Sequence, residues 1–130
     1  MITFAARLKR GMCVLVEGFP YVVIYSGHVK YGKGPAFVRV EARDVSSGVM
    51  RKFQFNPLER LEVKELLIRW ARYLHGNDGD RVFSDLETGE QVAVPDCFFG
   101  GDERRLEEGG SWRLVYLDGE LFAAIPEFRA

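Results

Sequence analysis

The stretch His-Val-Lys-Tyr-Gly-Lys-Gly-Pro-Ala-Phe-Val-Arg-Val, residues 28–40, joins two strand-like segments through a loop centred on one lysine. Gly32 and Gly34 flank Lys33, so neither neighbour carries a side chain and the backbone can turn tightly there. Lysine carries its cation on a long flexible stem, which suits it to phosphate contacts or covalent modification. The stretch predicts a hairpin with Lys33 at its tip, although Gly-Lys-Gly alone also fits an ordinary hairpin with a solvated lysine.

Short β-strands rich in Val, Phe and Tyr are predicted on both sides of this loop. Four strands are expected at residues 12–16, 21–25, 36–45 and 49–55. Residues 17–20 and 46–48 carry the turn signals that join them in two hairpins. The third strand alternates, which places Phe37, Arg39, Glu41 and Arg43 on one face and Val38, Val40 and Ala42 on the other. These hairpins predict a small curled sheet.

The second half gives a less uniform pattern. Residues 62–75 taken alone favour a helix, because their apolar residues fit one helical face. Turn signals at residues 77–79, 87–89 and 118–119 then separate short apolar stretches, which favours a second all-β module. Asp96 is placed to cap a short helix running toward Glu108. A five-stranded barrel with one short helix is an OB-like plan.

Charge divides unevenly along the chain. Residues 1–61 hold 10 Lys and Arg against 4 Asp and Glu, a net charge of +6. Residues 62–130 hold 8 against 15, a net charge of -7. A basic first half suggests a polyanionic partner, while the acidic half supplies solubility or meets a basic partner. Chance segregation remains the alternative.

No residue pattern indicates catalysis or a metal site. Cys13 and Cys97 lie in apolar surroundings and are predicted to be buried, reduced thiols. His28 and His75 lack the spaced acid or thiol of a catalytic set. No cofactor is expected.

The N-terminal residues and the lengths of the apolar runs indicate where in the cell the chain is expected. The apolar runs are shorter than the roughly 18 residues that span a bilayer. Residues 1–7 lack the features of a signal peptide. We therefore expect no membrane partner and a cytoplasmic location.

Several motifs follow one another in an order that carries more weight than Gly-Lys-Gly alone. Glu17-Gly18-Phe19-Pro20-Tyr21 precedes a strand, the loop reads Lys30-Tyr31-Gly32-Lys33-Gly34-Pro35-Ala36-Phe37, and Arg43-Asp44-Val45-Ser46-Ser47-Gly48 forms the next turn. This order resembles the first domain of bacterial elongation factor P, with its Gly-x-Pro-Tyr-type turn and Lys-Pro-Gly-Lys-Gly-x-Ala-Phe loop. Tyr31 stands where the family usually has proline.

The resemblance continues through the second half. Residues 73–79, Tyr-Leu-His-Gly-Asn-Asp-Gly, are similar to the family's Tyr-Leu-Tyr-x-Asp-Gly segment, which implies that residues 66–74 are strand. Residues 101–106 stand where the family has a loop that contacts the tRNA elbow. The chain stops at Ala130, where bacterial elongation factor P continues into a third barrel. It is therefore similar to the two-domain layout of initiation factor 5A.

The resemblance implies an all-β fold with an N-terminal SH3-like (KOW-like) barrel, residues 1–61, followed by an OB-fold barrel with one short helix, residues 62–130. It implies a factor, not an enzyme, that binds the ribosome beside the P-site tRNA. Peptide bond formation at stalling, polyproline-type sequences would be promoted by positioning through Lys33. A lysine-modifying enzyme is a further implied partner, with no small-molecule substrate. The oligomeric state is not indicated.

The resemblance also assigns roles to individual residues. Lys33 is the loop tip and the modification site. Support for the loop is assigned to His28, Lys30, Gly32 and Gly34. RNA contacts are assigned to Lys30, Lys33, Arg39, Arg43, Asp102 and Arg105.

Two alternatives stay open. One is a free-standing RNA-binding module in which Tyr31, Phe37 and Phe53 stack on bases over a basic surface. The other is a degenerate paralogue of elongation factor P that acts as an interaction protein through its acidic half.

Overall fold

The chain forms two units, Met1–Glu65 and Leu66–Ala130. The structure is a computed structural model and describes residues 1–30, 32, 34–77, 79–99 and 105–127. Both units are built from antiparallel strands, so the predicted all-β fold class is confirmed. The boundary expected after Leu61 falls inside a strand of the first unit, Arg60–Lys64. That strand pairs with two other strands of its unit, and this keeps residues 62–64 on the N-terminal side.

Unit 1 is a six-stranded sheet. Its strands are β1 (Ile2–Phe4), β2 (Cys13–Val16), β3 (Phe19–Val29), β4 (Phe37–Asp44), β5 (Met50–Phe55) and β6 (Arg60–Lys64). Their order in the sheet is β1-β6-β2-β3-β4-β5. A first 3₁₀ helix, Ala5–Arg7, follows β1. The four predicted strands are confirmed as β2 to β5, and β1 and β6 extend the sheet beyond them.

Alternation along β4 fixes which face of the sheet is buried. Val38, Val40 and Ala42 have no exposed surface, whereas Arg39 and Arg43 on the opposite face are exposed. Because the side-chain period of a strand is two, a slip of one residue would bury both arginines. The predicted assignment of the two faces is therefore confirmed.

Unit 2 is a five-stranded sheet. Its strands are β7 (Leu66–Asn77), β8 (Asp80–Asp85), β9 (Gln91–Pro95), β10 (Ser111–Leu117) and β11 (Glu120–Pro126), in the order β11-β10-β7-β8-β9. β7 confirms the strand implied by the resemblance, against the helical spacing of its apolar residues. Ala71 and Tyr73 on alternate positions of β7 are buried, so the strand period governs burial there.

The core of unit 2 is built around aromatic side chains. Trp112 has 1% of its surface exposed and Phe83 has none. The Trp112 ring meets Phe99 at a centroid distance of 5.5 Å and an interplanar angle of 84°, and Phe83 at 5.9 Å and 70°. Edge-to-face contacts of this kind add to the stabilisation that burial of the rings provides. Two strands, β8 and β10, and the segment after β9 thus contribute rings to one core.

The segment after β9 departs from two predictions. The described helix there is a three-residue 3₁₀ helix, Asp96–Phe98, and its N-cap is Pro95 rather than Asp96. Asp96 is the first residue of this helix and so lies inside it, and its carboxylate accepts a hydrogen bond from Arg81 Nε at 3.0 Å. Cys97 is exposed, which corrects the prediction of a buried thiol, while Cys13 is buried as predicted. No helix in the described ranges has the length and apolar character needed to cross a membrane.

The two units share one turn design. Asp44 Oδ1 accepts hydrogen bonds from the backbone N–H groups of Ser46 and Ser47, and Asp85 Oδ1 does the same for Glu87 and Thr88. An aspartate that bonds to its own turn holds the hairpin closed without help from tertiary contacts. Asp85 has a further partner in Arg69, whose Nε and Nη2 donate to the carboxylate at 2.7 and 2.9 Å.

Asp85 is expected to make unit 2 sensitive to acid. The hydrogen bonds from Arg69 above all lower the pKa of Asp85 from 3.8 to about 2, assisted by those from Glu87 and Thr88. A depressed pKa in the folded state means that the carboxylate stabilises the fold above pH 3.8 and loses that effect as the pH falls through about 2. In Asp85→Asn this loss between pH 4 and pH 2 should be absent, as measured by urea midpoints at each pH.

Asp44→Asn is the matched control for this prediction. Asp44 makes the same turn without an ion pair in the part of the chain that the structure describes. This variant should keep the wild-type acid dependence of unit 2. An Asp85→Asn protein whose midpoint falls with acid as steeply as that of wild type would contradict the assignment.

Candidate functional site

The β3–β4 hairpin carries the lysine loop. Its strands remain paired as far as Val29, which lies opposite Phe37, so residues 30–36 form the connection. Within it Lys30 is exposed, and Gly32 has φ +57° with nothing within 4 Å of the position a Cβ would take. The left-handed backbone at Gly32 fits the tight turn expected there. Tyr31 and Lys33 lie outside the described residues.

A bulge sets the direction of the strand that leads to the loop. The register between β3 and β4 shifts between Val23 and Tyr25, so one residue of β3 has no partner opposite it. Beyond the bulge, Tyr25 is 50% exposed, and its hydroxyl occupies the space that a Cβ on Gly27 would need. The tyrosine ring therefore covers the glycine backbone, an arrangement that requires the missing side chain.

Gly27→Ala is expected to displace Tyr25 from this position. The new methyl group would overlap the Tyr25 hydroxyl, and moving the ring off its preferred rotamer should cost about 1 kcal/mol of unfolding free energy. Denaturant unfolding of unit 1 measures the loss. In a Tyr25→Ala background the same change should cost much less, leaving a coupling of about 0.5 kcal/mol or more. Equal losses in both backgrounds would show that the two residues are not coupled.

Basic side chains lie on the outer face of the sheet below the loop. Arg39 is opposite Gly27 and Gln54, and Arg43 is opposite Val22 and Met50. Lys52 lies on the same face, opposite Glu41 and 3.9 Å from its carboxylate, and its side chain is 79% exposed. We call Arg39, Arg43 and Lys52 the basic face. Three cations against one carboxylate leave this surface positive, as phosphate contact requires.

Sequence reasoning missed Lys52. The alternation in β5 offered a signal, because buried Phe53 and Phe55 place Lys52 on the opposite, outer side. His28 is exposed at the base of the loop, and Gly34 is half-buried in the connection. The structure thus groups His28 and Lys30 around the loop and Arg39 and Arg43 on the strand beside it.

Phe53 does not provide a surface for base stacking. It is 9% exposed and packs edge-to-face on Tyr21 at 5.1 Å, with Arg51 Cζ 4.8 Å from its ring centroid. Phe37 is half-buried and Tyr31 lies outside the described residues. Phe53 is therefore a core residue and is not one of the aromatic side chains that could stack on bases in the RNA-binding alternative.

The site residues assigned to the second half are only partly described. Arg105 is exposed, whereas Asp102 lies outside the described residues. Within the described ranges, no group of three or more His, Cys, Asp and Glu is placed to hold a metal ion.

The sequence of this chain is similar to proteins named elongation factor P. The family model described as "Elongation factor P (EF-P) KOW-like domain" matches residues 5–61. A relative named elongation factor P from Desulfovibrio desulfuricans is 34% identical over 91% of this chain and 64% of its own length. Another with the same name, from Alkaliphilus metalliredigens, is 31% identical over 94% of this chain and 66% of its own length. The chain thus spans slightly less than two thirds of these relatives.

Solved structures agree on the fold. Eukaryotic translation initiation factor 5A from Methanococcus jannaschii aligns with a TM-score of 0.54 at 23% identity, covering 96% of this chain and 94% of that one. A translation initiation factor eif-5a family protein from Naegleria fowleri aligns with a TM-score of 0.57 at 15% identity, covering 96% and 97%. At these identities the likeness concerns the fold alone.

Proposed function

Because residues 5–61 match the elongation factor P KOW-like domain and relatives named elongation factor P are 31% and 34% identical to this chain, we propose that it belongs to the elongation factor P family and acts as a translation elongation factor on the ribosome. It would bind beside the peptidyl-tRNA and promote peptide bond formation at stalling, polyproline-type sequences. The family consists of translation factors, not enzymes, in agreement with the sequence prediction. The location we propose is the cytoplasm.

One observation carries the proposal: the β3–β4 hairpin holds the Gly-Lys-Gly connection at the end of two paired strands, within the segment that matches the family. Val38 and Val40 anchor β4 in the core, so the hairpin rises from a rigid base. Functional groups mounted on rigid elements are positioned more accurately than those on free loops.

The proposed mechanism is positioning rather than chemistry by the chain. Lys33 would extend toward the acceptor end of the P-site tRNA, where its ammonium meets phosphate or ribose oxygens as a point charge. Holding a poor prolyl donor in attack geometry lowers the barrier, since orientation alone can be worth several kcal/mol. The ribosome supplies the reaction itself.

The remaining assigned residues would support this placement. Lys30 and the basic face would contact RNA phosphates in a salt-sensitive manner. Unit 1 would act as the KOW-like module that presents the loop. Unit 2 would form the OB-fold module, with Asp102 and Arg105 near the tRNA. A lysine-modifying enzyme that acts on Lys33 is a further proposed partner.

A reconstituted bacterial translation system without its own elongation factor P tests the proposal. A reporter with a run of prolines should stall, and the added chain should restore full-length product; a matched reporter without the run should be unaffected. Protein carrying a modified Lys33, verified by intact mass, is assayed beside unmodified protein. No restoration by either form would refute the proposed activity.

A further inference from the structure

A pocket of about 480 Å³ opens on unit 1 and is lined by Ile2, Thr3, Phe4, Arg7 and Arg60. Phe4 of β1 lies opposite Arg60 of β6 in the antiparallel ladder, so the two side chains stand on the same face. Arg7 comes from the first 3₁₀ helix, whose Ala5 is fully buried and ties that helix to the core. Two cations thus reach one pocket from separate elements.

Neighbouring carboxylates do not neutralise these two arginines. Neither Arg7 nor Arg60 forms an ion pair among the residues that the structure describes. Glu62, the next residue on the same face of β6, pairs with Lys64 at 3.2 Å. The pocket is therefore suited to an anion.

The same pocket offers an apolar surface. Phe4 is 37% exposed and Ile2 is 60% exposed, and Arg60 Cζ lies 5.9 Å from the centroid of the Phe4 ring. Aromatic rings and guanidinium planes both stack on nucleic-acid bases, and the guanidinium fork binds phosphate oxygens in pairs. A ligand that combines a flat ring with a phosphate matches both halves of the pocket.

We propose that this pocket binds one nucleotide of single-stranded RNA, with its base on Phe4 and Ile2 and its phosphate between Arg7 and Arg60. The net charge of +6 over residues 1–61 favours approach of such a polyanion. An acidic peptide would engage the arginines but would leave the apolar surface uncovered. The site involves neither Lys33 nor the basic face.

Fluorescence anisotropy with a short labelled oligouridine tests this site on the full chain, away from the ribosome. Arg7→Gln combined with Arg60→Gln should weaken binding at low salt by about tenfold or more, because two phosphate contacts are lost. Phe4→Leu keeps apolar bulk but removes the ring, and should weaken binding by about fivefold. Amide NMR shifts induced by uridine monophosphate should centre on residues 2–7 and 60.

Arg10→Gln, an exposed arginine outside the pocket, is the matched control and should bind nearly as wild type. Lys33→Ala should also bind as wild type, so this proposal and the ribosomal one can fail separately. Equal weakening in Arg10→Gln and in the double variant would reduce the effect to general charge and overturn the site. Binding of polyglutamate in place of the RNA would overturn it as well.

Discussion

Lys33→Ala is expected to abolish the relief of polyproline stalling while leaving the chain folded and able to bind the ribosome. If the lysine contributes by orienting the prolyl donor, its loss should slow peptide bond formation at the stall by about a hundredfold, within the range that orientation supplies. Single-turnover formation of the proline–proline bond on purified ribosomes measures this step. Bonds between fast-reacting residues should form at an unchanged rate.

Lys9→Ala controls for the loss of a lysine from unit 1. Lys9 is exposed and lies outside the loop and outside the basic face, so this variant should relieve stalling as wild type does. If Lys33→Ala relieves stalling equally well, the loop tip has no role and the mechanism proposed above is wrong. Loss of activity in both variants would point to general charge instead.

Trp112→Ala is expected to destabilise unit 2 strongly. The indole is 1% exposed and contacts both Phe83 and Phe99. Truncating a buried tryptophan costs about 3–5 kcal/mol. A unit of this size has a total stability of about 3–10 kcal/mol. Chemical denaturation should show an early transition of unit 2, while NMR signals of residues 1–65 persist, because unit 1 has its own core.

Trp70→Ala is the matched control, since the chain has only two tryptophans. Trp70 is 45% exposed and its ring faces Arg113 Cζ at 5.9 Å. Losing this exposed contact should cost about 1 kcal/mol. A loss in Trp112→Ala no greater than in Trp70→Ala would contradict the core described for unit 2.

Local chemistry explains which parts of the fold the sequence predicts. The β2–β3 turn, with Glu17 at φ 55° and Gly18 at φ 83°, and the Asp44 turn are set by residues within a few positions of each other. By contrast, β1 pairs Thr3 with Leu61, far along the chain. A three-residue strand has no readable period, so β1 and β6 emerge only from tertiary pairing.

The strand β7 shows where periodicity misleads. Its apolar residues fit a helical face, yet several of them, such as Leu67 and Trp70, are half-exposed. The buried residues are instead Ala71 and Tyr73, which lie two positions apart as in a strand. Helical spacing does not single them out. Resemblance to known sequences gave the correct strand because motif order carries information that composition alone lacks.

The candidate site, too, is predictable from the sequence only where local patterns determine it. Arg39 and Arg43 follow from alternation, and Gly32 follows from turn chemistry. The packing of the Tyr25 ring over Gly27 depends on a β-bulge, and no local sequence pattern predicts the position of that bulge. The pocket at Arg7 and Arg60 likewise depends on pairing between the two ends of unit 1.

Co-sedimentation with bacterial ribosomes at physiological salt tests directly whether the chain recognises the P-site tRNA on the ribosome. Ribosomes carrying peptidyl-prolyl-tRNA in the P site are compared with vacant ribosomes, using wild type and Lys33→Ala. Both proteins should sediment with the tRNA-bearing ribosomes and far less with the vacant ones. Absence of sedimentation, or equal sedimentation with both kinds of ribosome, would contradict a factor that recognises the P-site tRNA.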